Sequence, residues 1–199
     1  MRAFLAGAVV FAIVLAAAGF LYLKKAQGFS ARATPPALEK FAAHLARDIA
    51  MPAEAKAKQN TIPDSAEVQK EARAHWADHC AACHANDGSG QNTMGQQMYP
   101  PAPDMRKEGT QKMTDGELFY IIENGERLTG MPAWGGTKHG QEDSWKLVRF
   151  IRHLPSLTQA EIREMESLNP KSPEDLEEEK QEAEFLKGGT PAEHQHHHH

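Results

Sequence analysis

Both cysteines of this 199-residue chain fall within five positions, in Cys80-Ala81-Ala82-Cys83-His84. No other feature constrains the possible folds as strongly. Two thiols can make at most one disulfide, and a bridge between Cys80 and Cys83 would close too small a loop to stabilise much by chain entropy. The pair is therefore read as chemical rather than structural, and the fold has to be organised around whatever it binds. Composition allows one modest core, with 40% hydrophobic and 7% aromatic residues. The formal net charge is −5, and no basic block suggests a nucleic-acid partner.

Three chemistries use two thiols at this spacing. Tetrahedral zinc needs four ligands, so two histidines such as His75 or His79 would have to complete the set. A thioredoxin-like dithiol would sit beside a strand in an α/β pattern, and no alternating strand signal is visible. The third is covalent heme attachment, signalled by C-x-x-C-H. The two thiols match the spacing of two heme vinyl groups, each forming a thioether, and His84 then lies under the iron. A heme held this way in a small helical domain usually takes a sixth ligand from a distant loop, commonly methionine. Met131, in Thr-Gly-Met-Pro-Ala-Trp, lies 47 positions after His84. Met94, Met98, Met105 and Met113 are the rivals, each read as loop packing.

The first segment carries an uncharged, largely apolar run from Ala3 to Leu23, bounded by Arg2 and by Tyr22, Lys24 and Lys25. It is long enough to cross a bilayer as a helix. The run continues past Ala16-Ala17-Ala18, so an uncleaved anchor is expected in preference to a signal peptide. Residues 26–63 read as a linker containing one short amphipathic helix, with Leu38, Phe41, Leu45 and Ile49 at helical spacing. His44 is read as an ordinary surface or packing residue.

The main domain is expected over 64–155. Asp64 and Glu67 suggest a capping box for a helix that carries Val68, Ala72, Trp76 and His79 into Cys80. A Gly-, Asn- and Pro-rich stretch from 85 to 112 is too broken for a long helix. Helices are then expected from Thr114 to Gly125, over 143–154 before Pro155, and from Thr158, with Glu117 and Glu161 three residues after their threonines. Gly88, Gly90, Gly125, Gly130 and Gly135 suit a backbone that approaches a porphyrin closely. His139 and His153 are read as surface residues. Residues 156–199 are assigned to a charged helical tail ending in Glu-His-Gln-His-His-His-His.

Taken together, residues 64–155 resemble the class I cytochrome c family in its membrane-anchored bacterial form. The likeness rests on Trp76, CAACH, "DGSG", "YPPAPDM", "MTDGELFYIIENG", "TGMPAWG" and "WKLVRFIRHL". It implies an all-α class I cytochrome c fold around one covalently attached heme c. It implies His84 and Met131 as axial ligands. It also implies that a carbonyl among Pro100–Pro103, taken as that of Pro103, accepts a hydrogen bond from the non-ligating nitrogen of His84. Such a bond orients the ring and tunes the iron.

A six-coordinate His/Met iron leaves no open position for substrate, so the expected role is one-electron transfer and not enzymatic catalysis. No catalytic triad, phosphate loop or paired-carboxylate site is visible. The family attaches its heme outside the cytoplasmic membrane, which implies a periplasmic domain although Lys24, Lys25 and Arg32 run against the positive-inside tendency. The expected partners are redox proteins or membrane respiratory complexes. Two alternatives stay open: a fixed heme subunit of a dehydrogenase or oxidase complex, and a metal-handling module. For the latter, the terminal histidines would hold Cu²⁺ or Ni²⁺, unless they are the remnant of a purification tag.

Overall fold

The structure, a computed structural model, describes residues 2–25, 30–136 and 140–186. His139 and the His-rich tail lie outside them. Among the described residues every regular element is helical. Helix α1 (Arg2–Lys25) is 24 residues long with a mean hydropathy of 2.6 in its most apolar window. At 1.5 Å per residue it extends about 36 Å, enough for a hydrocarbon layer of ~30 Å.

Helix α2 (Ala37–Ala50) follows Pro36 and ends where the Met51 amide donates to the Arg47 carbonyl. Met51 and Ala55 are buried, and the short α3 (Ala53–Lys56) leads the chain onto the main domain. The segment up to Ile62 is tied down there. Asn60 donates its amide to the Trp145 carbonyl at 2.9 Å, and Arg149 Nε donates to the Ile62 carbonyl at 2.8 Å.

Helix α4 (Ala66–His75) is capped one residue later than the Asp64–Glu67 box suggests. Ser65, in an extended conformation, accepts the Val68 N–H, while the Asp64 carboxylate takes the Gln69 side chain. The serine hydroxyl reaches the third helical amide directly, so the aspartate is released from capping. The helix then widens into a π-turn (Trp76–Cys80) and closes with α5 (Ala81–His84). The expected broken stretch contains two single turns, α6 (Thr93–Gln96) and α7 (Glu108–Gln111). Helix α8 (Asp115–Asn124) has the expected capping box between Thr114 and Glu117.

Helix α9 (Gln141–His153) crosses α4, and the core lies at that crossing. Trp76 and Phe150 meet with ring centroids 5.3 Å apart, surrounded by Ala72, Ala77, Leu147, Val148 and Ile151. Phe119 of α8 stacks on Trp145 of α9 at 4.1 Å. Helix α10 (Gln159–Glu166), opened by the Thr158–Glu161 capping box, adds Met165 to the same core. Residues 156–169, assigned to the tail from sequence, thus pack with the domain. Arg73 of α4 holds Glu161 and Glu164 at 2.8 and 2.9 Å, and His153 bonds Glu161 at 3.0 Å instead of lying free on the surface. Helix α11 (Pro173–Leu186) continues beyond, and Ser172 and Asp175 cap it reciprocally.

Candidate functional site

The π-turn sets up the site. Its extra residue per turn shifts the register between α4, which is committed to the core, and the segment that follows: Cys80 closes the turn itself, and α5 carries Cys83 and His84. Trp76, at the start of that turn, donates its indole N–H to the Ala85 carbonyl at 3.0 Å and lies 5.7 Å from the His84 ring. One aromatic side chain thus links the core to the histidine. Both thiols are free. Burial, and then the neighbouring Cys83, push the Cys80 thiol up to about 12, and burial raises Cys83 as well. Burial lowers His84 to about 4, so the imidazole is neutral at physiological pH and able to bind a metal.

The backbone around these residues is almost fully engaged. The Ala81 carbonyl accepts from the Ala85 N–H and from the Asn92 amide. The Ala82 carbonyl also accepts from Asn92, and the His84 carbonyl accepts from the Gly90 N–H at 2.8 Å. Asn92 in turn caps α6 by accepting the Gly95 N–H at 2.7 Å. Gly95 is pressed so closely on the Cys83 carbonyl that a Cβ there would lie 2.1 Å from its oxygen. Sequence reading overlooked Asn92 and did not single out Gly95. Their signal was present in Asn92-Thr93-Met94-Gly95, a capping residue three positions before a glycine.

On the opposite strand of this loop, Pro103 sits against Gly90, which has φ +67° and the Ala102 carbonyl 2.5 Å from where its Cβ would be. Arg106 clamps the two segments by pairing with Asp87 at 2.8 Å and with Asp104 at 2.8 Å. His84 Nδ1 is nonetheless buried with no hydrogen-bond partner, so the bond to Pro103 is not made in this structure. The Pro103 carbonyl lies against Gly90 instead. Of the other glycines expected to flank a porphyrin, Gly88 meets Leu154 and Gly135 meets Glu123. Gly125 meets the Met131–Ala133 backbone. They admit the protein's own backbone and core.

Met131 is held by its main chain. Its N–H donates to the Thr129 hydroxyl at 3.0 Å, and its carbonyl accepts the Glu126 N–H at 3.1 Å. Trp134 and Gly135 anchor the loop's far end to the Ile122 and Glu123 carbonyls of α8. The rival methionines separate clearly. Met105 and Met113 pack against the core, and Met94 is 57% exposed. Met98 alone among them is tied to the Met131 loop, with its sulfur 2.2 Å from where a Gly130 Cβ would lie.

The residues fit a heme better than a bare metal ion. Among the described residues, no group of three or more His, Cys, Asp or Glu side chains is placed to hold an ion, so nothing in the geometry supports the zinc reading. The absence of strands among those residues removes the thioredoxin-like one. What remains is a neutral buried imidazole, with an unpartnered nitrogen, beside two protonated thiols. Residues 67–151 match the model of a protein family described as "Cytochrome C oxidase, cbb3-type, subunit III". This segment is a class I cytochrome c domain. A search among curated proteins finds no match to the chain. The cytochrome c domain binds heme and serves electron transfer, and the matched segment runs from α4 into α9.

Proposed function

We propose that the chain is a membrane-anchored, single-heme cytochrome c that passes electrons one at a time between redox partners on the periplasmic side. The observation that supports it most is the buried, neutral His84 directly beside two free thiols in a cytochrome c domain. Heme c, when bound, supplies reversible one-electron exchange at its iron. Cys80, Cys83, His84 and Met131 are the residues that would hold it, the two thiols covalently and the imidazole and thioether at the iron. The Pro103 carbonyl would accept from His84 Nδ1–H when the group is bound; in this structure that nitrogen has no hydrogen-bond partner. Thr129 and Glu126 hold the Met131 backbone in place, which would keep its side chain positioned toward the group. Helix α1 is the anchor.

Acid–acetone extraction of protein matured in a host with a heme-attachment system tests the covalent link. Colour should stay with the polypeptide, fall when either Cys80 or Cys83 becomes Ala, and vanish in the double variant. Colour passing wholly into the organic phase from the wild type refutes the assignment.

The second reading is a fixed heme subunit of an oxidase, favoured by the description of the matching family. Stoichiometric co-purification with an oxidase after mild solubilisation would select it over a separate carrier.

A further inference from the structure

Helix α2 is amphipathic in an unusual sense, because its polar face turns toward its own domain. Tyr99 donates its hydroxyl to Glu39 Oε1 at 2.6 Å, and Arg47 Nη1 lies 3.4 Å from Glu126 Oε1. Glu39 and Arg47 are the two residues of the helix that are half-buried. Leu38, Phe41, Leu45 and Ile49 are 78, 66, 48 and 75% exposed. At 100° per residue, this apolar stripe is centred about 150° from the line through Glu39, Ala43 and Arg47. A helix folded onto a soluble domain would show the reverse arrangement. Four large apolar side chains in one row form a patch of the kind that marks an interaction surface.

We infer that α2 lies in the membrane interface, with Leu38, Phe41, Leu45 and Ile49 in the acyl–headgroup boundary and the cytochrome c domain seated on its other side. This rests on the reading of α1 as a membrane anchor. The occupant follows from continuity with that span. Even fully extended, the chain from Lys25 to Ala37 reaches only roughly 40 Å, so α2 cannot move far from the bilayer. Helix α2 has 14 residues, about 21 Å, which is too short to cross the membrane. Its polar positions flank a Leu/Phe/Ile face, the pattern of helices that lie in the interface plane. The Glu39–Tyr99 and Arg47–Glu126 contacts would then orient the domain. Tyr99 follows Met98, and Glu126 bonds the Met131 carbonyl, so the side bearing the methionine loop faces the membrane. The domain docks at the surface and does not swing freely on a tether.

Photo-crosslinking in the full chain tests this. The variants are Phe41→p-benzoylphenylalanine and Leu45→p-benzoylphenylalanine, with His44→p-benzoylphenylalanine as control. Each is reconstituted in phosphatidylethanolamine/phosphatidylglycerol vesicles, floated and irradiated, and adducts are read by mass spectrometry. Phospholipid adducts should form at 41 and 45 at least about fivefold more than at 44. Flotation with equal lipid adducts at all three sites, or none, would overturn the inference and leave the anchor standing. Chain–chain adducts at 41 and 45 would make the occupant a second copy and also overturn it. A chain that fails to float loses the anchor reading, and the inference with it.

Discussion

Replacing Gly95 by Ala adds one methyl group at the tightest point behind the thiols. The new Cβ would lie 2.1 Å from the Cys83 carbonyl oxygen, 2.8 Å from the Gly90 carbonyl oxygen and 2.9 Å from Asn92 Oδ1. None of these is the free end of a flexible chain. The two carbonyls belong to the backbone around Cys83 and His84, and Asn92 is held by three bonds. Ordinary contact needs roughly 1 Å more room, so α6 must move away from Cys83. Overpacking of this kind costs about 1–3 kcal/mol, and loss of the Asn92 cap adds about 1 kcal/mol. A destabilisation of about 3 kcal/mol lowers the melting temperature of a domain this size by roughly 10–20 °C. The control is Gly109→Ala in α7, where a Cβ meets nothing within 4 Å and the helix gains about 0.5–1 kcal/mol in propensity. Both variants are compared with wild type as heme-loaded protein by circular dichroism melting, and heme per chain is measured by pyridine hemochrome. Gly95→Ala should melt far lower and carry less heme. If the two variants melt within about 2 °C of each other, the loop behind the thiols is soft and the packing argument is wrong.

Met131→Ala should abolish the far-red sulfur-to-iron band of the oxidised protein, whereas Met98→Leu should keep it. Loss of the band on Met98→Leu, with retention on Met131→Ala, would show the wrong methionine was chosen. Met131→His should lower the midpoint potential by on the order of 0.1 V, within the ~0.8 V that axial ligands span. The Arg106 guanidinium bonded to Asp104 holds that carboxyl below its ordinary 3.8. Its folded value lies below its unfolded one, so the pair stabilises above about pH 3.8, and that contribution is lost as pH falls through the folded value. Arg106→Gln should therefore cost about 1 kcal/mol or less at neutral pH, the sites being partly exposed, and the gap in urea stability should close in acid. A gap constant from pH 7 to pH 2 would deny the pair that role. Gly116→Ala would bring a Cβ 2.1 Å from the Ala55 carbonyl and detach α3 from α8. Hydrogen exchange should then rise across residues 51–62, and unchanged protection there would show that the linker is held by its other bonds.

What could be read along the chain was local chemistry. Cys80-Ala81-Ala82-Cys83-His84 pointed to a heme because thioether spacing and an adjacent imidazole are contained in five residues, and the matching family is a cytochrome c one. The Thr114–Glu117 and Thr158–Glu161 boxes could be read because a helix cap involves only three or four neighbours. The apolar run of α1 is equally a property of consecutive residues. The Asp64 cap failed on the same scale, because a neighbouring serine competed for the same amide.

Tertiary structure decided what depends on residues far apart in sequence. Only packing shows that Met165 completes the core made by α4 and α9, since its helix looks like a charged tail by composition. Only packing brings Gly95 onto the Cys83 carbonyl and Met98 onto Gly130, because no pattern encodes contacts across a loop without periodicity. The α2 stripe was legible as amphipathic from its spacing, but spacing cannot tell which face a helix turns to its neighbours. That direction was set by Tyr99 and Glu126, which lie 60 and 79 residues from their partners Glu39 and Arg47. Two polar contacts there keep the apolar face outward.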